Sequence, residues 1–231
     1  MLVIVGSVFD QEAVNLTASW HGDGAALLTC RDLSTPGWRH FCGDRAASTA
    51  VIAGRVVPIS SIRAVLTRRA SIYSAELTQV SPEDREYVAA EMNAFLLAWL
   101  GELECPVLNR PTPGCLSGAN WSSAQWVHQA ARLGIPVRPY RAFVPGRVDG
   151  PSDVPAIEVT VVGDRCFGAP DAEVASRARA LARAAGVQLV SVQFADARER
   201  VFLGANLLPA VADPAIVDAV RDLLLTERKS A

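Results

Sequence analysis

The first thirty residues constrain the fold most, because they pass from the pattern of a strand to that of a helix and back. Residues 1–6 form an apolar run that predicts a buried strand. Asp10 is suited to cap a helix that extends to about Trp20, and residues 25–30 return as a short apolar strand. A strand, a helix and a strand in this order favour parallel pairing with helices packed on the sheet. The chain is therefore predicted to have an α/β fold.

The remaining sequence continues this alternation. The predicted strands cover residues 50–59, 62–66, 105–109, 157–162, 165–167, 187–194 and 201–203. The predicted helices cover residues 81–103, 122–133, 172–185 and 215–226. In the first of these helices, Ser81 is expected to be the N-cap and Pro82 the first helical residue. Its apolar stripe is typical of core packing.

One stretch has the composition of a linker. Residues 144–156 are rich in proline and glycine, which interrupt helices and strands. They divide the chain into a predicted parallel α/β domain, residues 1–143, and a second domain with a smaller sheet, residues 157–231.

Charge and hydropathy limit the partners. The formal net charge of -2 gives no reason to expect a nucleic-acid partner. The best apolar run, residues 95–100, is too short to cross a bilayer, and the amino terminus lacks the basic region of a signal peptide. We therefore expect a cytoplasmic protein without a membrane partner.

The numbers and positions of lysine and cysteine limit the catalytic groups, disulfides and metal sites that the chain can form. Lys229 is the single lysine, so the body of the chain offers none as a Schiff base, general base or phosphate ligand. The five cysteines are widely spaced, which does not indicate a disulfide framework. Cys30, His40 and Cys42 could hold a metal, but no paired CxxC supports them and a fourth ligand must come from elsewhere. We expect scattered thiols and no metal or other cofactor.

Several segments, in order, resemble the ATP-grasp superfamily and, within it, the RimK-like ligases that modify peptides or amino acids. The last of these segments reads Val-Phe-Leu-Gly-Ala-Asn-Leu-Leu-Pro, where the family has the signature V-x-E-x-N-x-x-P. The likeness extends over nearly the whole chain. The matching segments are residues 83–91, 99–100, 106–111, 126–137, 159–167, 181–187 and 201–209. The resemblance implies a pre-ATP-grasp-like α/β domain followed by the carboxy-terminal α+β lobe of the grasp.

The departures from the family predict a loss of function. The ATP-binding lobe should occupy the region of residues 144–156, which is too short for it. The family's metal-binding Asp corresponds to Gln193 and its Glu to Gly204, so that Asn206 alone remains of the three ligands. An amide and a hydrogen cannot replace two anionic magnesium ligands. Asp196 and Glu199, in the following turn, leave a shifted metal site as an alternative.

A cleft between the two domains is the predicted ligand or partner site. The residues expected to line it are Asn109, Arg110, Trp121, Trp126, His128 and Asn206. Two simpler interpretations remain open: Trp126 packs in the core, and Arg110 binds carbonyl groups at a strand end. A nucleophile and base pair of Cys105 or Cys115 with His128 has no supporting motif.

Together these features predict a degenerate ATP-grasp-like protein that acts as an accessory or binding protein in a peptide-modification or natural-product pathway. The expected partner is a protein or peptide, such as a full-length ligase or tailoring enzyme. One alternative is an enzyme that uses the cleft for ATP-independent chemistry, and another is a subunit completed by a partner ligase. Loss of a lobe exposes apolar surface, so a homodimer or heterodimer is expected.

Overall fold

The computed structural model describes residues 1–138, 156–196 and 198–226. Its strands are β1 (Leu2–Val5), β2 (Ala25–Leu28), β3 (Thr49–Ile52), β4 (Arg55–Pro58), β5 (Ala64–Thr67), β6 (Val107–Leu108), β7 (Ala156–Val162), β8 (Arg165–Phe167), β9 (Leu189–Ala195) and β10 (Phe202–Asn206). Its helices are α1 (Gln11–Ser19), α2 (Cys30–Leu33), α3 (Arg85–Glu102), α4 (Ser123–Arg132), α5 (Ala172–Ala185) and α6 (Pro214–Thr226). Over these ranges, no helix has the length and apolar character needed to cross a membrane.

The first sheet is parallel, as the β-α-β start predicts. Its strands lie in the order β2, β1, β5, β6, and each neighbouring pair runs parallel. The central strand β1 places Leu2 beside Ala25 on one side and beside Ala64 on the other. Helix α1 provides the crossover from β1 to β2, and its N-cap is Asp10, whose carboxylate accepts from two backbone amides.

Helices cover both faces of this sheet, as a parallel sheet requires. On one face, Val3 and Val65 belong to the same buried cluster as Leu96 and Trp99 of α3. Helix α1 packs against β1 and β2, and α6 packs against β5. The buried stripe of α3 therefore contributes to the core, as predicted, although Tyr87 at its amino-terminal end is largely exposed.

Helix α3 begins at Arg85, three residues after the predicted first helical residue, Pro82. The backbone amide of Asp84 donates to the carbonyl of Ser81, which closes a tight turn ahead of the helix. The Ser81 hydroxyl donates to the Asp84 carboxylate instead of capping the helix. Asp84 is the residue at the N-cap position, and the expectation of Ser81 as the cap is wrong.

The predicted strand at residues 50–59 is a hairpin of β3 and β4. Ile52 pairs with Arg55, so the loop has two residues, Ala53 and Gly54, and both have positive φ angles. Two positive angles are what a type I′ hairpin turn requires. The sequence pattern missed the turn because an alanine occupies its first position.

The second sheet is antiparallel, with the strand order β10, β9, β7, β8. Helix α5 packs against β7, β8 and β9, and α4 packs against β10 and α5. Both sheets have four strands within the described ranges, so the expectation of a smaller second sheet is wrong. The combination of a parallel and an antiparallel sheet confirms the predicted fold class.

The chain forms two compact units, Met1–Ala119 with Ala210–Ala231, and Asn120–Pro209. These limits differ from the predicted ones at residues 143 and 157, and most of the predicted linker lies outside the described residues. Helix α4 joins the second unit because it packs on β10, and α6 returns to the first because it packs on β5. Such long-range packing is not visible in a local pattern.

Candidate functional site

One face of the second sheet carries a row of three residues across three strands. Glu158 on β7 lies opposite Gln193 on β9, and Gln193 lies opposite Gly204 on β10. Directly opposite residues have their Cβ atoms about 4.5–5.5 Å apart, so the two side chains are within reach of one ligand. We call Glu158, Gln193 and Gly204 the polar row. It contains one carboxylate, one amide and no side chain at its third position.

A second row of three residues lies two positions away from the polar row on each strand. Thr160 pairs with Ser191, which pairs with Asn206. Thr160 and Ser191 are buried, and the Ser191 hydroxyl has no hydrogen-bond partner in the described part of the chain. A buried hydroxyl without a partner usually marks a site for a water or another polar group. The amide of Asn206 is exposed and engages Leu208 through two hydrogen bonds in a local turn.

These two rows make one face of the sheet polar while the other face is apolar. The apolar side chains, Val159, Val161, Val190, Val192 and Phe194, are fully buried. The period of two places Glu158 and Thr160 together, and likewise Ser191 and Gln193. The sequence analysis predicted both strands but did not separate their two faces, although the alternation of polar residues within residues 157–162 and 189–194 is a usable signal.

One of the two carboxylates in the turn after β9 is already paired. Asp196 forms an ion pair with Arg200, and Arg200 lies four residues later in the same turn. Glu199 is exposed, and its backbone carbonyl accepts from Arg177. The ion pair reduces the charge that a shifted magnesium site at Asp196 and Glu199 would need.

Two of the predicted cleft residues, Asn109 and Arg110, belong to the first unit and follow β6. Asn109 is buried, and its side-chain amide donates to the Ser117 carbonyl at 3.3 Å. Arg110 is exposed, and its guanidinium donates to the Leu103 carbonyl at 3.3 Å. The carbonyl contact favours the simpler interpretation of Arg110, although the residue as a whole is exposed.

The other predicted residues belong to the second unit. Trp121 and Trp126 form an edge-to-face pair with their ring centroids 4.8 Å apart. Trp126 is buried on α4, as the core-packing interpretation expects, whereas Trp121 is half-buried and His128 is exposed. Trp121 thus offers aromatic surface that is supported by the ring beneath it. Binding at any of the six predicted residues stays a prediction.

A charged cluster that sequence reasoning missed lies at the carboxyl edge of the parallel sheet, just after β5. The Nε atom of Arg68 donates to Asp10 Oδ2 at 3.0 Å, and its Nη2 atom lies 2.9 Å from Glu12 Oε2. Glu12 also accepts from the backbone amide of Val211 at 3.1 Å. Glu12 therefore links Arg68, at the end of β5, to the segment that precedes α6.

Arg69 makes a similar set of contacts in the interior. It donates to Glu76 Oε1 at 2.7 Å, to the Gly6 carbonyl at 3.2 Å and to the Cys30 sulfur at 3.2 Å. Burial raises the pKa of the Cys30 thiol, against the opposing effect of the Arg69 charge. Both arginines contact carboxylates, so the cluster stabilises the loops at this edge and offers little net charge to a phosphate.

No protein-family model and no curated protein matches the sequence. Solved structures do match the fold. The macrocyclase MdnC from Microcystis aeruginosa MRC, bound with the precursor peptide MdnA, superposes with a TM-score of 0.74 at 13% identity. The alignment covers 98% of this chain and 100% of the macrocyclase.

Two further structures are similar to a comparable degree. One is a RiPP-associated ATP-grasp ligase from Chryseobacterium gregarium, in complex with ADP and a leader and core peptide. It has a TM-score of 0.69 at 10% identity, and the alignment covers 98% of this chain and 96% of the ligase. The ATP-grasp ligase PsnB, complexed with a minimal precursor, has a TM-score of 0.68 at 15% identity over 96% of this chain and 98% of PsnB. These likenesses confirm the ATP-grasp type of fold that the resemblance predicts.

Proposed function

We propose that this chain is a degenerate ATP-grasp-like protein that binds a peptide in a peptide-modification pathway and has no ATP-dependent ligase activity of its own. The observation that carries the proposal is the pairing of Gln193 with Gly204 in the polar row. By resemblance, these are the positions of two magnesium-binding acids. An uncharged amide beside a bare backbone cannot neutralise the cation that bridges nucleotide phosphates.

The length of the chain before β7 supports the same proposal. Residues 139–155 amount to 17 positions between the described segments. An α+β lobe with several strands of about five residues and a helix needs more chain than this. The segment also contains arginine but no lysine, so the lysines that resemblance would place on the nucleotide phosphates are missing.

A peptide is the ligand class that the similar proteins favour. MdnC, the Chryseobacterium gregarium ligase and PsnB were each solved with a precursor, leader or core peptide. In this chain, Trp121 supplies a half-buried aromatic surface and Arg110 an exposed guanidinium, two groups that are frequent in peptide-binding hot spots. We infer that these residues contribute to peptide binding.

Calorimetry with Mg-ATP tests the loss of nucleotide binding. We expect no saturable heat for the wild-type chain with ATP or ADP in the presence of magnesium. Glu158→Gln is the diagnostic variant, because Glu158 is the one acid of the polar row. Saturable micromolar binding by wild type would overturn the proposal, and its loss in Glu158→Gln would assign the cation to that carboxylate.

Fluorescence anisotropy with synthetic peptides encoded beside the gene tests the peptide function. We expect Arg110→Ala and Trp121→Ala each to weaken binding by at least about tenfold, the scale of an interface hot spot. Arg132→Ala is the control, since Arg132 is an exposed arginine at the end of α4. Circular dichroism checks that the variants fold. Equal affinity of all three variants and wild type would contradict a role for Arg110 and Trp121.

A further inference from the structure

His40, Cys42 and Glu102 come together in the first unit, although Glu102 lies sixty residues from the other two. His40 and Cys42 lie in the segment between α2 and β3, and Glu102 is the last residue of α3. One ligand atom from each residue lies within 4.8 Å of the others. The shortest measured separation is 3.5 Å, between His40 Nε2 and Glu102 Oε2.

The segment that carries His40 and Cys42 is held in place at both ends. Arg39 and Thr49 exchange two backbone hydrogen bonds, of 3.0 and 2.8 Å. Between them, the buried Ser48 hydroxyl donates to the Asp44 carbonyl at 2.7 Å and accepts from the Phe41 amide at 3.1 Å. The positions of the three ligands are therefore set by a closed loop and a helix end.

The imidazole of His40 is oriented toward the cluster. Its ring packs edge-to-face on Phe95 with centroids 5.8 Å apart. Its Nε2 atom is buried and forms no hydrogen bond with any described residue, apart from the longer ion-pair contact to Glu102. Such an atom needs a polar or cationic partner. A cavity of about 20 Å³ is lined by His40 and Glu102 together with Arg45, and it has room for one water or one ion.

The three groups suit one kind of cation. Zinc binds imidazole nitrogen, thiolate sulfur and carboxylate oxygen at about 2.0–2.3 Å in a tetrahedron, so its ligand atoms lie about 3.4–3.7 Å apart. The His40 and Glu102 atoms already have this spacing. Cys42 is exposed, and a change of its side-chain torsion can close the remaining gap. Magnesium and calcium prefer oxygen ligands and suit this set less well.

We propose that His40, Cys42 and Glu102 form a zinc site with three protein ligands and a fourth position left to water. Bound zinc would join the loop of residues 39–49 to the carboxyl end of α3. Cys30 is not a ligand, because its sulfur contacts Arg69 in the edge cluster. The proposal replaces the sequence-based expectation of no metal, which considered Cys30, His40 and Cys42 and found no further ligand.

Titration of the full chain with cobalt, a spectroscopic substitute for zinc, tests the site. We expect a near-ultraviolet thiolate-to-cobalt charge-transfer band, intense visible bands of a four-coordinate ion, and loss of both on adding zinc. Cys42→Ser should remove the charge-transfer band. His40→Ala and Glu102→Gln should weaken binding by at least about tenfold, as expected when one of three ligands is lost.

Three matched controls should bind cobalt as wild type does. They are Cys166→Ser at another thiol that is not fully buried, His21→Ala at an exposed histidine and Glu104→Gln at an exposed carboxylate near Glu102. Absence of the charge-transfer band in wild type, or its persistence in Cys42→Ser, would overturn the proposal. Cys42 is exposed, so this variant keeps the test decisive even if His40→Ala fails to fold.

Discussion

Arg69 lies in a position where 4% of its surface meets solvent. The cost of burying a guanidinium is offset by Glu76 and by three further acceptors, the carbonyls of Gly6 and Ser71 and the sulfur of Cys30. Gly6 follows β1, and Arg69 follows β5. One side chain thus ties together two strand ends that are more than sixty residues apart in sequence.

Removal of this side chain should destabilise the protein strongly. Arg69→Met leaves Glu76 without its cation and is expected to lower the free energy of unfolding by about 3–5 kcal/mol. Arg183→Met is the control, since the Arg183–Asp164 pair is exposed and worth at most about 1 kcal/mol. Urea unfolding of both variants measures the difference. Equal losses would show that the Arg69 pair is not a buried structural contact.

At the scale of residues, the sequence identified several polar side chains of the candidate site but not the residues that lie beside them on neighbouring strands. It noted Gln193, Gly204 and Asn206 through the resemblance, but it assigned no role to Glu158, which lies in the predicted strand at residues 157–162. The pairing of Glu158 with Gln193 depends on the register of β7 against β9. Register is set by interactions over the whole sheet, so it cannot be read from either strand alone.

Elements were predicted well where a local signal defined their ends. Helix α5 has the predicted bounds, and Asp171 caps it while Gly186, in the left-handed conformation, ends it. Helix α4 begins with a capping box of Ser122 and Gln125. These signals lie within four residues of the helix ends, so they do not depend on the rest of the fold.

Gly168, just after the end of β8, occupies a position where the neighbouring backbone leaves no room for a side chain. It follows β8 with φ +77°, and a Cβ atom there would lie 2.5 Å from the Glu158 carbonyl oxygen. Gly168→Ala is expected to lower the free energy of unfolding by about 2–5 kcal/mol, from the left-handed backbone and the steric overlap together. Gly186→Ala, with φ +64° and open space around it, should lose about 1–2 kcal/mol. Thermal and urea unfolding compare the two, and an equal loss would contradict the steric argument.

On the scale of the whole molecule, two exposed apolar side chains favour the prediction of a dimer. Val8 and Phe9, in the loop between β1 and α1, are 60% and 82% exposed. Adjacent exposed apolar groups of this kind are common at interfaces between chains.

We expect the purified chain to form a homodimer through this loop at micromolar concentration. Val8→Ser with Phe9→Ser should convert it to a monomer in sedimentation equilibrium, because the substitutions remove the apolar surface that a partner would cover. Tyr87→Ser, at an exposed aromatic residue on α3, should leave the dimer intact. A monomeric wild type, or a dimer unaffected by the double substitution, would contradict the prediction.

The sequence by itself determined the type and order of most elements. Apolar periods define β1, α1 and β2, and their order leads to a parallel sheet because few other connections are possible. The order of short motifs was enough to predict an ATP-grasp type of fold. Each of these inferences depends on residues that are close together in the chain.

Tertiary structure decided which distant residues meet. It placed Gln193 between Glu158 and Gly204, returned α6 to the first sheet, and brought Glu102 to His40 and Cys42. The physical reason is that register and helix packing minimise the free energy of the whole chain, whereas a sequence pattern reports only local preference.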